Sequence, residues 1–371
     1  MSATRAHTSN RLLYIDVLKV FAAQAIVLHH LSVYGPIADD MHDWLPGVMD
    51  FLFAYGRMAV QVFLVVGGYL SARALSARGG LLSGQPAELL WRRYLRLTLP
   101  FMAAVILSVL CATWVSPWLP EFEPVSVSLG SLIAHALLLH GVLGQESLTA
   151  GAWYVAIDFQ LFAMLLGLLW LARRSALPRM WRMVIGPVAV LSLCLTSLFL
   201  FNLDPRFDDL GLYFFGSYGL GAMVHWLGLS RRPGWGLAAL MGLGLLALAL
   251  AWRERIALAM ATALVLGLWQ RREASSLLGR AWQARAAGLL AQLSQQSYSL
   301  FLVHFPICLL VNAWYVQHDD WPQAYAPWTM LLAWLLSNLA SRPFYRWIEA
   351  PSTRLRLNPW AWWPAQGHLP R

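Results

Sequence analysis

The sequence predicts an all-α polytopic membrane protein of about ten transmembrane helices, with the N- and C-termini cytoplasmic. Three observations carry that prediction. The 371 residues are 59% hydrophobic and only 12% charged, whereas soluble domains carry about 25% charged residues; mean hydropathy is +0.55. Apolar runs of roughly 17–25 residues, the length that crosses a bilayer, recur along the chain. The basic residues fall almost entirely on one side when the ends of those runs are numbered alternately. Together these exclude a soluble cytosolic enzyme, a disordered chain and a disulfide-stapled secreted domain. Twenty Trp and twelve Tyr suit the same class, because amphipathic rings favour the membrane–water interface.

The first run, 12–33, is not a cleavable signal peptide: it is long, contains Asp16 and Lys19, and is followed by no small-residue cleavage site. Further runs cover 47–70, 97–116, 152–172, 183–203, 210–229, 234–252, 255–270, 297–316 and 325–347. The eighth is the shortest. The stretch 125–145 is apolar enough to suggest another span, but one there would put Arg173 and Arg174 on the wrong side. It reads instead as an outside-facing re-entrant or interfacial helix carrying His135 and His140. No internal repeat or soluble appendage interrupts the chain. Residues 1–350 therefore form one transmembrane domain with an outside-facing segment at 117–150. Residues 351–371 form a Trp/Pro/Arg-rich cytoplasmic interfacial tail.

With a cytoplasmic N-terminus, 23 of the 27 basic residues lie inside; only Arg206, Arg253 and Arg255 lie outside, and Arg57 falls within a span. Ten acidic residues, from Asp39 to Asp320, fall outside. A shift of one span would destroy this asymmetry, so both termini share a side. The net charge of +9 thus serves topology and implies no nucleic-acid partner. Cys111, Cys194 and Cys308 each sit inside an apolar run, with no CxxC or metal spacing, and read as buried thiols. No His/Cys/carboxylate cluster supplies a metal site.

Ionisable residues inside membrane helices are costly and are candidates for function. The first span holds Asp16, Lys19, His29 and His30. Asp16 and Lys19, three apart, are neighbours on one face. Lys19 and His30, eleven apart, share that face at a separation of about 16 Å, and His29 is rotated by about 100° from it. One reading is a polar path ending in a proton-handling His, whose pKa near neutrality suits a general base. The other is that Asp16 and Lys19 pair at a helix end while His30 hydrogen-bonds a neighbouring helix. Arg92, Arg93 and Arg96, placed just before the third span, either anchor topology or hold phosphate groups through bidentate contacts. Asp158 and Gln160 lie inside a span, where a carboxylate needs a partner. His304 lies within the ninth span. Gly67 and Gly68 allow close helix packing.

Six stretches, in order from residue 11 to 356, resemble one family. They are RLLYIDVLKVFAAQAIVLHH, VFLVVGGYLSAR, RRYLRLTLPF, WYVAIDFQLF, SYSLFLVHFPI and WIEAPSTRL. The chain is similar to the acyltransferase-3 family of bacterial integral-membrane acyltransferases. That resemblance implies a ten-helix enzyme of the bacterial inner membrane, with residues 1–350 as its acyltransferase-3-like domain. It also implies acetyl-CoA or another acyl-CoA as donor, and a hydroxyl of a cell-envelope or secreted glycan, or of a lipid-linked sugar, as acceptor. The family's essential His matches His30, as catalytic base or as acyl carrier, and its first-helix basic residue matches Lys19; its Arg residues match Arg93 and Arg96. Asp16 is placed beside His30 in the catalytic set, and Arg92 joins the acyl-CoA-binding set. Trp153, Asp158, Gln160, His304 and Glu349, from the matching motifs, form a supporting set. The chain departs from the family pattern at Lys19 (Arg in the family), Gly67 (Ser), Gln61 (Asp in one subgroup) and Asp158 (Glu).

The implied partners are the bilayer, the glycan acceptor and a glycan-synthesis complex, with no nucleic acid. Segment 117–150, with Trp118, Phe122, His135 and His140, either contacts the acceptor sugar or anchors at the interface. An ion- or proton-coupled transporter or flippase would use the same Asp/Lys/His path, without dependence on CoA. A non-catalytic membrane subunit of a glycan assembly complex would leave His30 dispensable.

Overall fold

A computed structural model describes residues 13–77, 79–122, 127–273, 280–318 and 323–355, with the side chains of 271–273 and 280–287 left aside. The tail reading for 351–371 therefore lies outside the described residues beyond 355. Helices account for the architecture of the described residues: α1 (Leu13–Leu31), α2 (Pro36–Trp44), α3 (Pro46–Tyr55), α4 (Val60–Leu75), α5 (Pro86–Val115), α6 (Leu129–Ala136) and α7 (Ala152–Arg174). They continue with α8 (Arg179–Phe199), α9 (Gly211–Gly228), α10 (Pro233–Leu250), α11 (Glu254–Glu273), α12 (Arg280–Val316) and α13 (Ala326–Phe344). Proline at the first turn starts α2, α3, α5, α10 and α13, where its missing N–H costs nothing.

Seven segments among the described residues are long and apolar enough to cross a membrane. They match the first five, the seventh and the ninth of the predicted runs. The remaining three runs coincide with α9, α11 and α13, of 18, 20 and 19 residues. Large apolar side chains point outward over the surface, among them Phe21, Leu110, Leu200, Trp235, Leu250 and Trp347, each more than 60% exposed. Such a surface would be a liability in water and suits a hydrocarbon solvent. The chain is an all-α polytopic membrane protein.

Two boundaries differ from the sequence reading. Helix α5 begins at Pro86, so Arg92, Arg93 and Arg96 lie inside a 30-residue helix rather than ahead of it. Helix α12 runs for 37 residues and extends well before position 297. Hydropathy averages over a window, and charged residues that face an internal cavity depress it without ending the helix. The predicted run 47–70 is two helices, α3 and α4, joined by a 3₁₀ turn at Gly56–Ala59. Among the described residues of segment 125–145 the helix is the eight-residue α6, too short to span at 1.5 Å per residue. There His135 and His140 stack on each other with centroids 4.2 Å apart, and both lie against Phe101 of α5. Both are fully buried, which removes them as exposed contacts for a sugar. The three cysteines are free and buried.

Packing centres on α4 against α9, with α8 on the far side of α9, and on α12 against α1 and α13. The first pair meets backbone to backbone. A Cβ on Gly68 would stand 1.9 Å from the Tyr218 carbonyl oxygen, and one on Gly221 would stand 1.8 Å from that of Val65. Dispersion at such close range is what drives helix association in lipid. Gly68→Ala is accordingly expected to destabilise the protein by about 3 kcal/mol, the upper range for overpacking. Thermal unfolding in detergent checks this, with Gly167→Ala, where nothing lies within 4 Å, expected to melt like the parent.

Candidate functional site

The long α5 carries Arg93 and Arg96 three residues apart, hence on one face. That face meets α7, where Asp158 is 5% exposed. The Arg93 guanidinium donates to the Asp158 carboxylate in an ion pair and also lies 5.3 Å from the centroid of the Phe162 ring. This supplies the partner that a carboxylate inside a span requires. Arg92, on the exposed side of the helix, pairs with Glu88 one turn away. Arg96 forms no ion pair among the described residues and its side chain is exposed. Lys19 of α1 donates from Nζ to the Ser294 carbonyl at 2.8 Å, which ties α1 to α12.

These groups line a cavity of about 630 Å³ between α1, α4, α5, α7 and α12. One end holds Lys19, Arg92, Arg93, Arg96, Asp158 and Glu349; the other holds Phe63, Tyr154 and Phe301. Glu349 reaches the cavity from a single π-helical turn, Tyr345–Glu349, that follows α13. Such turns often mark functional sites. The buried Glu349 carboxylate accepts a hydrogen bond from the Ser299 hydroxyl of α12. Gly67 also lines the cavity. A Cβ there would stand 3.3 Å from the Tyr218 ring and 3.7 Å from Asp158 Oδ1, so the ring occupies much of the space a side chain would need.

His30 lies on the same helix as Lys19, about 16 Å further along at 1.5 Å per residue. It does not line the cavity. Its imidazole stacks on that of His304, with centroids 4.8 Å apart and planes at 28°. It also stacks on the Tyr34 ring, 5.4 Å away and nearly parallel at 10°, and the His29 ring lies 5.1 Å away, tilted at 56°. Nδ1 of His30 is enclosed and has no hydrogen-bond partner, as are both ring nitrogens of His304, whereas Nε2 of His30 is not enclosed in this way. His29, rotated away as its position predicts, is committed elsewhere: its Nδ1 donates to the Leu52 carbonyl at 3.0 Å, and its Cβ fills the space that a side chain on Gly56 would need. The cavity stops one ring short of the histidines. Phe301 lines its aromatic end, 5.4 Å from the Tyr154 ring and 6.0 Å from His304. Phe301 rests in the notch left by Gly151, whose φ of +77° and lack of Cβ both suit the contact.

The structure thus brings together Lys19, Arg92, Arg93, Arg96, Asp158 and Glu349 at one place, and His30 and His304 at another. Asp16 joins neither. It lies fourteen residues from His30 on α1, about 21 Å away, forms no ion pair among the described residues, and is half-buried. Trp153 is 37% exposed and packs on Tyr154 and Phe214 outside the cavity. Gln160 accepts from the Gly211 N–H at 2.7 Å and so holds the start of α9 against α7. Tyr34, Phe63, Tyr154, Ser299 and Phe301 are the site residues that pattern reading missed. Four of them sit inside the quoted motifs, but aromatic and serine residues in a span carry no charge to single them out. Among the described residues, no three of His, Cys, Asp and Glu gather into a group that could hold a metal ion.

Breaking a buried pair leaves an uncompensated charge and costs about 3–5 kcal/mol, whereas replacing both partners by apolar groups is often neutral. Asp158→Leu alone should therefore lower stability by about that amount. Arg93→Met combined with Asp158→Leu should recover most of it. A double-mutant cycle of unfolding free energies in detergent measures the difference.

Comparison with known proteins returns one family. The model described as an acyltransferase domain matches residues 12–341. No curated protein and no solved structure matches the chain. The family match runs from α1, which carries Lys19 and His30, to the last turn of α13, and so takes in nearly all of the cavity and the histidine stack. The chain belongs to the acyltransferase-3 family of membrane acyltransferases.

Proposed function

We propose that the protein transfers an acyl group, acetyl in the simplest case, from cytoplasmic acyl-CoA to a hydroxyl of a cell-envelope or secreted glycan. The observation that carries this reading is the cavity itself: cationic at one end, aromatic at the other, and ending one ring from the His30–His304 stack. By the positive-inside rule its arginine end faces the cytoplasm, in a bacterial inner membrane. There Arg96 is the principal anchor for CoA phosphate, because Arg93 is held by Asp158 and Arg92 by Glu88; Lys19 adds a second cation. The pantetheine arm extends along the aromatic walls, and the thioester reaches His30 once the Phe301 ring turns aside. The partners are the bilayer, the glycan or lipid-linked sugar, and the complex that assembles the glycan.

His30 Nε2 takes the proton of the acceptor hydroxyl as that oxygen bonds to the acyl carbon. The carbon–sulfur bond then breaks, and the proton passes from His30 to the departing thiolate. The products are an ester and free CoA thiol. Lys19 and Arg96 hold the donor, and the apolar surroundings keep water from the thioester.

His30→Ala protein that inserts normally should leave envelope glycans without the added ester, measured as acid released by mild alkali. Full acylation by that variant would sink the reading. Arg96→Ala should weaken acetyl-CoA binding about 10–100-fold, corresponding to the loss of one charge-assisted contact. Calorimetry on the purified protein measures it.

A further inference from the structure

We infer that Tyr34 is a positioning residue for His30, clamped in place by Asn312. This rests on the assignment of His30 as the base. The Tyr34 and His304 rings stack on the His30 imidazole, at 5.4 and 4.8 Å, while the nearby His29 ring is tilted to it at 56°. With Nδ1 enclosed, only the Nε2 edge is left for chemistry.

The clamp is visible in the turn that follows α1. Gly35 adopts φ of +86°, a conformation that favours glycine. The space where its Cβ would lie is taken by the Asn312 amide, 2.5 Å away. Asn312 Nδ2 donates to the Tyr34 carbonyl at 3.3 Å and to the Cys308 carbonyl at 3.0 Å. Its Oδ1 accepts from the Ile37 N–H at 3.1 Å. One buried side chain of α12 therefore grips both sides of the turn and sets the height at which Tyr34 leaves α1. The ring is wedged further by Phe305, also on α12, whose centroid is 5.2 Å from it at 69°, and by Phe122 at 6.2 Å. An imidazole with no hydrogen bond to fix its tilt is here oriented by ring stacking instead. What Tyr34 contributes is its ring, and the hydroxyl is not required.

Two readouts test this. Diethyl pyrocarbonate carbethoxylates accessible imidazole nitrogens, and peptide mass spectrometry of the treated, purified protein follows His30 without any knowledge of the acceptor. Ester-linked acetate on the glycans of cells carrying each variant follows the activity. Tyr34→Ala should speed carbethoxylation of His30 while the fully buried His140 stays protected, and should cut acylation about 100-fold, the cost of a misplacement on the order of 1 Å. Tyr34→Phe should match the parent in both, and Asn312→Ala should move both in the direction of Tyr34→Ala. If Tyr34→Ala loses its fold, reported by carbethoxylation of His140, then Tyr34→Leu and Asn312→Ala carry the test. Parental reactivity and acylation in Tyr34→Ala would overturn the inference, as would a Tyr34→Phe protein as defective as Tyr34→Ala. Parental acylation by His30→Ala would instead remove the assignment of His30 as base, and the carbethoxylation rates would still judge the enclosure.

Discussion

A guanidinium inside a membrane domain must find a counter-charge or stay in touch with water, and the Arg93–Asp158 pair meets that demand. Most of the site's layout follows from it. The pair fixes α5 against α7 in the wall of the cavity. It occupies Arg93 and so leaves Arg96 as the cavity cation without a carboxylate of its own. The pair also lies beside Gly67, where Tyr218 of α9 closes the wall. The close backbone contact of α4 with α9 at Gly68 and Gly221 then becomes part of the same construction, because it brings Tyr218 to the pair. In water such a pair would contribute little; in a low-dielectric interior its disruption is expensive.

Much of this was legible in the sequence where charge meets periodicity. The eleven-residue interval between Lys19 and His30 puts them on one face, and the structure finds Lys19 in the cavity and His30 beyond its far end. The need of Asp158 for a partner was readable too, and so was the packing role of Gly68. The His30–His304 stack was not, since it joins residues 274 positions apart and no local pattern encodes which helices become neighbours. The same holds for Glu349, whose place in the cavity depends on a π-helical turn that propensity does not announce. Asp16 shows the converse. It is conspicuous as a charge in an apolar run, yet it occupies the first turn of α1, where a carboxylate suits the helix dipole.

The cavity and the histidine region obey different physics. The cavity is lined by the cations Lys19, Arg92, Arg93 and Arg96, with Arg92 paired to Glu88 and Arg93 to Asp158. The histidine region has no ion pair among the described residues, and its rings pack against Tyr34, Phe305 and Phe301. That division suits the proposed acyl transfer from acyl-CoA, which would capture a highly charged carrier yet keep the thioester away from water.

Helix α12 carries, in sequence, the carbonyl that receives Lys19, the hydroxyl that holds Glu349, the Phe301 partition, His304 and the Asn312 clamp. Five tasks are therefore threaded on one rod, and successive side chains along it are separated by fixed steps of 1.5 Å and about 100°. Inserting or deleting a single residue anywhere between Ser294 and Asn312 would throw all the later contacts out of phase at once. This stretch can vary in side chain but not in length. Among the described residues, the connections around it carry no such chain of contacts, so α12 acts as the gauge against which the rest of the membrane domain is assembled.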